Sequence, residues 1–439
     1  MTKIKTCRPG ERGQTIILIA ISLISLLAIA ALAIDVVTLY VARTEIQLAA
    51  DAAALAGAKA VADSGFTSLP ATDPNYPAAQ ILATGMANNA IYTVLQQNLV
   101  AGSQPTCNNC PLPRIVPPSQ GDVPITVTLT STPPTFFARI WGRSAATIGA
   151  SATAEAYNPA NNSPYTPIAP TNVKPWLIAN GDPTVSVATQ LVNTTTWTVD
   201  SAIIGQTFDL TADCGTGPSC WPLGVNGHNP PQANYSLTGN PNVEYLPATF
   251  TASSSSVCPT GCGSGSTVEC ADATNYAYLS CGGSGAPQLN WDNSVYPGGA
   301  GGPTAVGTEC LIGSGGAGAG SQDTLVNGGP WPNAPFQITA GNGVQSGKVV
   351  TTSNSIVTIP IIDTPPGVPL TAGGPVTIDG YLQAFINGVE PGFQAGSNPG
   401  DLNITVLNII GCSSSPGAGP AVVGGQGTSP IAVRLITPP

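Results

Sequence analysis

Chemistry in this chain would have to start from one histidine, eleven cysteines and 22 carboxylates. His228 is the single candidate base for a histidine-centred triad, yet it lies in Gly-Val-Asn-Gly-His-Asn-Pro-Pro, a loop-forming run, and no Gly-x-Ser-x-Gly nucleophile motif is present. One histidine cannot make a histidine metal cluster. No calcium-loop or P-loop pattern appears, and no dinucleotide fingerprint with a strand before and a helix after its glycines. The acidic residues are scattered singly, so nothing in the sequence pairs two carboxylates for acid-base work. Cys107-Asn-Asn-Cys110 has the spacing of a thiol-redox pair or half a zinc site. The first use needs a βαβ context and the second another Cys-x-x-Cys, and neither is found. The expectation is a chain with no catalytic residue, no metal and no cofactor.

The cysteines fit a structural use better. Ten of the eleven follow residue 35, an even number in a segment expected to be exported, where disulfides persist. Cys107 and Cys110, Cys214 and Cys220, and the group Cys258, Cys262, Cys270 and Cys281 could each close short loops. Cys310 and Cys412 remain for a longer one. The connectivity stays open.

Ile16 to Ile34 is 19 residues without a charge: twelve Ile or Leu, five Ala, Ser22 and Ser25. At about 1.5 Å per residue it covers roughly 28 Å, close to the thickness of a bilayer's hydrocarbon core. Lys3, Lys5, Arg8 and Arg12 precede the span and no basic residue follows until Arg43. The positive-inside rule therefore predicts a single-pass protein with a cytoplasmic N-terminus. Ala31-Leu32-Ala33 resembles a signal-peptide cleavage site, but the apolar run exceeds the usual signal core of about 7 to 15 residues. Beyond residue 35 the net charge is −12, so no basic face is expected there for nucleic acid or anionic lipid.

The span opens a longer helix. Gln14 to Ala56 contains neither Gly nor Pro, so a helix can continue past the membrane as a stalk. Ala49, Ala53 and Gly57 recur at four-residue spacing, as do Ala50, Ala54 and Ala58. Such small-residue ridges admit another helix backbone, from a partner, a second copy or the chain's own domain. Glu45 and Asp51 are expected to be solvated on the opposite side.

Residues 63–77 carry Gly65, Pro70, Pro74 and Pro77 and must break the helix. A second helix is predicted from Ala78 to Val100, then strands at Ile125–Leu129 and Ala145–Tyr157. Between these strands Phe136 to Trp141 reads as a short helix. Phe136, Phe137, Ile140 and Trp141 on one face would plug the core, with Arg139 and Arg143 pointing away. Beyond residue 100, Gly and Pro make up a quarter of the chain, so strands and loops must dominate. Strands are predicted at Val185–Val192, Thr195–Val199, Lys348–Ile362, Val376–Ile386, Leu402–Ile410 and Pro430–Ile436. The organisation predicted is α+β: a basic tail (1–13), a transmembrane helix and stalk (14–62), a small α+β domain (63–160) and a β-rich Gly/Pro-rich region (161–439) with a flexible segment (282–322).

The N-terminal segment resembles the N-terminal module of TadG-like proteins of the bacterial Flp (tight-adherence) pilus machinery. The resemblance rests on Gly13-Gln14 before the span, Ala-Ile-Asp35 at its end, Leu39-Tyr40 with Arg43, Gln47, and Ala50-Asp51-Ala-Ala-Ala-Leu-Ala-Gly57-Ala. The Phe-Phe-Ala-Arg-Ile-Trp-Gly and Ser-Ala-Thr-Ala-Glu-Ala-Tyr segments extend it to roughly residue 157. Many relatives carry a von Willebrand A domain in the remainder, but its Asp-x-Ser-x-Ser metal motif is not found. A prepilin reading fails at Leu18, where processed pilins of that type carry Glu.

The resemblance implies a non-enzymatic protein of the inner membrane, its bulk periplasmic or extracellular, that binds other pilus-assembly membrane proteins or itself through the N-terminal helix. The alternative is an anchored exoprotein or adhesin whose β-rich region binds, or cleaves, an extracellular polymer.

Overall fold

The computed structural model describes residues 11–117, 121–158, 168–170, 173–181, 190–196, 198–212, 235, 242–248, 288–290, 303–314, 322–326, 337–350, 352–365, 368–371, 373–389, 401–411, 422–423 and 431–436. Three α-helices lie among them: α1 (Glu11–Asp63), α2 (Tyr76–Gln97) and α3 (Pro303–Ile312). The strands are β1 (Thr106–Cys107), β2 (Asp122–Ser131), β3 (Ile148–Tyr157), β4 (Ile168–Ala169), β5 (Trp176–Ala179), β6 (Thr207–Ala212), β7 (Asn242–Pro247) and β8 (Gln288–Asn290). They continue with β9 (Thr324–Val326), β10 (Gln337–Thr339), β11 (Val349–Val350), β12 (Ile356–Ile362), β13 (Pro375–Val389), β14 (Leu402–Gly411), β15 (Val422–Val423) and β16 (Ala432–Ile436). The mixed α+β class with a β-rich C-terminal region is as the sequence predicts.

The uninterrupted run of helix formers gives α1 its 53 residues, about 80 Å at 1.5 Å per residue. It is the one described helix long and apolar enough to cross a membrane. It stops where Gly65 takes a φ of 75°. A Cβ there would lie 2.7 Å from Ile204 Cγ2 and 2.9 Å from the Leu407 carbonyl oxygen, so the turn requires glycine. Helix α2 starts just ahead of Pro77, a residue tolerated in a first turn. It ends before Asn98, whose side-chain amide donates to the Val94 carbonyl at 2.8 Å.

Contacts divide the chain into two compact units. The first comprises Met1–Ala53, Tyr92–Cys110 and Thr126–Ala152. In it β1 pairs antiparallel with β2, and β2 neighbours β3, with the Thr128 and Ser151 hydroxyls 3.1 Å apart. The second comprises Ala54–Ile91, Pro111–Ile125 and Thr153–Pro439. Here β16 adds antiparallel to β3, and a seven-stranded sheet runs β12-β5-β7-β6-β14-β13-β8, with β13 pairing back to β12.

That last pairing closes six strands into a barrel, which leaves no exposed edge in the ring. Bulges at Ile361/Ile362, Gln383/Ala384 and Ile386/Gly388 bend the longest strands enough to close it. All seven residues of β12 are buried, as expected of a strand covered on both faces. Its sequence, Ile-Val-Thr-Ile-Pro-Ile-Ile, is accordingly apolar rather than alternating. The end of α1 packs in this unit: Gln383 of β13 donates to Asp63 at 3.0 Å, and Asn408 of β14 donates to the Ala62 carbonyl at 2.6 Å.

Several expectations need correction. Lys348–Ile362 is two strands, β11 and β12, separated by a turn. Thr195–Val199 is not a strand: the Asn193 side chain accepts from the amides of Thr195 and Thr196, both at 2.9 Å, and holds a turn. Most of Val185–Val192 lies outside the described residues, although Val192 forms an isolated bridge to Val199. Of the stretch 282–322, where a flexible segment is expected, residues 282–287, 291–302 and 315–321 lie outside the described residues, and β8 and α3 are the regular elements described there. Helix α3 begins on a proline suited to a first turn and buries Ala305, Leu311 and Ile312.

Candidate functional site: a carboxylate at the end of the apolar span

The first residue after the apolar run is Asp35, and it is 4% exposed. Its carboxylate receives three successive backbone amides: Phe136 N at 2.8 Å, Phe137 N at 3.1 and 3.2 Å to its two oxygens, and Ala138 N at 2.6 Å. These amides open a single 3-10 turn, Ala138–Trp141. Their free N–H groups form a concave donor set that suits an anion.

The chain holds this loop closed at its base. Thr135 N donates to the Ser144 carbonyl at 3.1 Å, Arg143 N donates to the Ala138 carbonyl at 3.1 Å, and the Thr135 hydroxyl donates to the Arg143 carbonyl. Gly142, with φ 79°, reverses the chain.

The loop is not the core plug expected from its helical face. Phe136 is 61% and Ile140 is 74% exposed. Fixing the backbone amides on Asp35 turns these side chains outward, whereas a helix register alone would have packed them inward. Arg139 and Arg143 are exposed, as expected.

Along α1 a single stripe is covered by the chain: Ala31, Asp35, Ala42, Ile46, Ala49, Ala50 and Ala53 are buried, at the three- and four-residue spacing of one helix face. The candidate contact residues Ala49 and Ala53 are thus buried within the chain, at 1% and 0% exposure. Gly57 is buried in the second unit, where an added Cβ would come within 3.0 to 3.2 Å of Ile125 and Ile91.

Glu45 is not free in solvent as expected. Its carboxylate accepts from Ala101 N at 2.8 Å, supporting the one non-glycine residue described with positive φ, 49°. Gln47 donates to Asp51 at 2.8 Å and to the Ser151 carbonyl at 3.4 Å.

Cys107 and Cys110 form a disulfide, and Cys310 is disulfide-bonded. Cys214, Cys220, Cys258, Cys262, Cys270, Cys281, Cys412 and His228 lie outside the described residues.

Folding also makes two carboxylate pairs that scattered acidic residues do not announce. Asp122 of β2 and Glu155 of β3 come together, with Arg434 of β16 donating to Glu155. Burial first, then the Glu155 charge, pushes the Asp122 carboxyl up, and Arg434 offsets part of this. Asp379 of β13 is pushed up to about 7 by burial and then by the charge of Asp363, against a 2.8 Å hydrogen bond donated by Asn180. Only the pairing of neighbouring strands could have revealed either pair. Among the described residues, no group of three or more His, Cys, Asp or Glu side chains could hold a metal.

Residues 13–60 match the family model of Flp pilus-assembly TadE/G-like proteins. The matched segment is most of α1 and includes Asp35, Gln47, Asp51 and Gly57. No curated protein and no solved structure matches the chain. The N-terminal module is therefore TadE/G-like, and the β-rich region lies outside the match.

Proposed function

We propose that this chain is a membrane-anchored, non-enzymatic component of a Flp/Tad-type pilus assembly, with α1 as its anchor and stalk. The observation that carries the reading is that residues inside the segment matching the TadE/G-like family hold the helix to folded protein. Asp35 seats the 136–138 amides, Gln47 reaches Ser151, and Gly57 admits Ile91 and Ile125. A bare anchor would need none of these contacts.

The basic N-terminal tail supports a cytoplasmic N-terminus with the bulk of the chain on the other side of the inner membrane. The exported cysteines are proposed to be mainly paired. With the small-residue stripe covered by the chain itself, partner binding through α1 falls to its open side, where Val37 is 62%, Tyr40 73% and Leu48 62% exposed.

The test is photocrosslinking from position 40 in intact envelopes, together with pilus counts in a strain lacking the gene. The reading predicts crosslinks to a second copy or to another pilus-assembly membrane protein, and loss of pili. Normal piliation without such crosslinks contradicts it. The closed barrel outside the matched residues favours a second reading, an anchored exoprotein that binds an extracellular polymer. Normal piliation with loss of surface binding would select that one.

A further inference from the structure

We infer that the loop 135–144 is a second membrane contact, seated in the interface of the leaflet where the span ends. This rests on the reading of Ile16–Ile34 as a membrane span. The depth is set by Asp35, which follows the last residue of the apolar run and binds three amides of the loop. Ala31, one turn deeper and inside the run, is only 8% exposed, while its neighbours Ile29 and Leu32 are 66% and 60% exposed. Protein thus reaches alongside the helix at the level where the hydrocarbon ends.

What the loop offers at that level suits a lipid surface. Phe136 and Ile140 are largely exposed, in a first unit that has buried apolar positions of its own. Arg139 and Arg143 flank them, exposed, in a chain with only twelve basic residues. Apolar side chains entering the boundary between headgroups and acyl chains, with arginines at the phosphodiester level, is the chemistry of interfacial anchoring. The occupant is the bilayer that holds α1, because a loop fixed beside the exit of the span has lipid next to it. A second contact beside the helix would also restrain the tilt of the stalk, which a single span leaves free.

The test uses full-length protein in vesicles of phosphatidylethanolamine and phosphatidylglycerol, with a genetically encoded environment-sensitive fluorophore at position 136 or 140. Position 24 serves as a mid-span control and position 344, where Val is 91% exposed, as an aqueous one. Lipids brominated near the headgroup end of the acyl chain should quench positions 136 and 140 at least about twofold more than position 344, the loop residing about 5–10 Å into the interface. Arg139→Glu with Arg143→Glu should reduce that quenching. Quenching at 24 by lipids brominated near the tail end of the chain, with none at 136 and 140 by those brominated near the headgroup, would overturn the loop contact and leave the anchor standing. No quenching at 24 by the tail-brominated lipids would overturn both. A signal at 136 and 140 that ignores bromination but rises with protein density would overturn the proposal in favour of contact with a second copy.

Discussion

Helix α1 and the barrel bury their residues by opposite means. From Ala31 to Ala53 the helix covers one stripe, mostly alanine, and each position contributes little apolar area. Its placement relies instead on a few polar contacts, Asp35 to three amides and Glu45 to Ala101 N. The barrel strands β12, β13 and β14 bury Ile, Val, Leu and Phe on both faces and close on themselves. Stability in the barrel is spread over area, whereas positioning in the helix is concentrated in a few hydrogen bonds. Substitutions in the barrel should lower global stability; those in the helix should release a local joint.

The largest effect is expected in the barrel. Phe385→Ala removes a ring at 0% exposure and should cost about 3–5 kcal/mol, read as a lowered unfolding midpoint of the full chain in detergent. A comparable loss from Thr44→Leu on the exposed side of α1 would erase the contrast.

Asp379 comes next. Its carboxyl titrates at about 7 when folded and at its ordinary 3.8 when unfolded. A raised folded value means stability is fully present below 3.8, falls as pH rises toward 7, and stays reduced above it. Thermal scans should therefore give a lower Tm at pH 8 than at pH 5, and Asp379→Asn should raise Tm at pH 8 and flatten the profile. A profile unchanged by the substitution would remove this cost from the barrel.

Ala53→Leu should cost about 1–3 kcal/mol by overpacking a covered site. Its loss should appear as easier proteolysis in the first unit, with the barrel transition unshifted. The smallest effect is expected from Cys107→Ser with Cys110→Ser, about 1 kcal/mol. The bond closes a very short loop that also has Asn109 donating to the Thr126 carbonyl at 2.7 Å and accepting from Thr128 N at 3.0 Å. Alkylation and intact mass of protein made in the periplasm should find few free thiols, and ten would refute the pairing.

What could be read in advance follows from the range of the interactions. Helix α1 and strands β2, β3, β13, β14 and β16 were predicted to within a few residues because composition and periodicity are local. Closure of the barrel was not, since β5 pairs parallel with β12 across some 180 residues, Ile178 with Ile361. Asp35 is legible in the sequence only as part of a resemblance, because its partners lie 101 to 103 residues away. Without that contact Phe136 and Ile140 look like core. The carboxylate pairs are illegible in the sequence for the same reason: Asp122 meets Glu155 only once β2 lies beside β3.

The central claim is that the Asp35 carboxylate fixes the 135–144 loop to the end of the span, and amide hydrogen exchange tests it most directly. In full-length protein in nanodiscs, the amides of Phe136, Phe137 and Ala138 should be protected. In Asp35→Ala they should exchange at least about tenfold faster while barrel amides such as Leu382 keep their rates. Unchanged protection at those three amides in the variant would contradict the account.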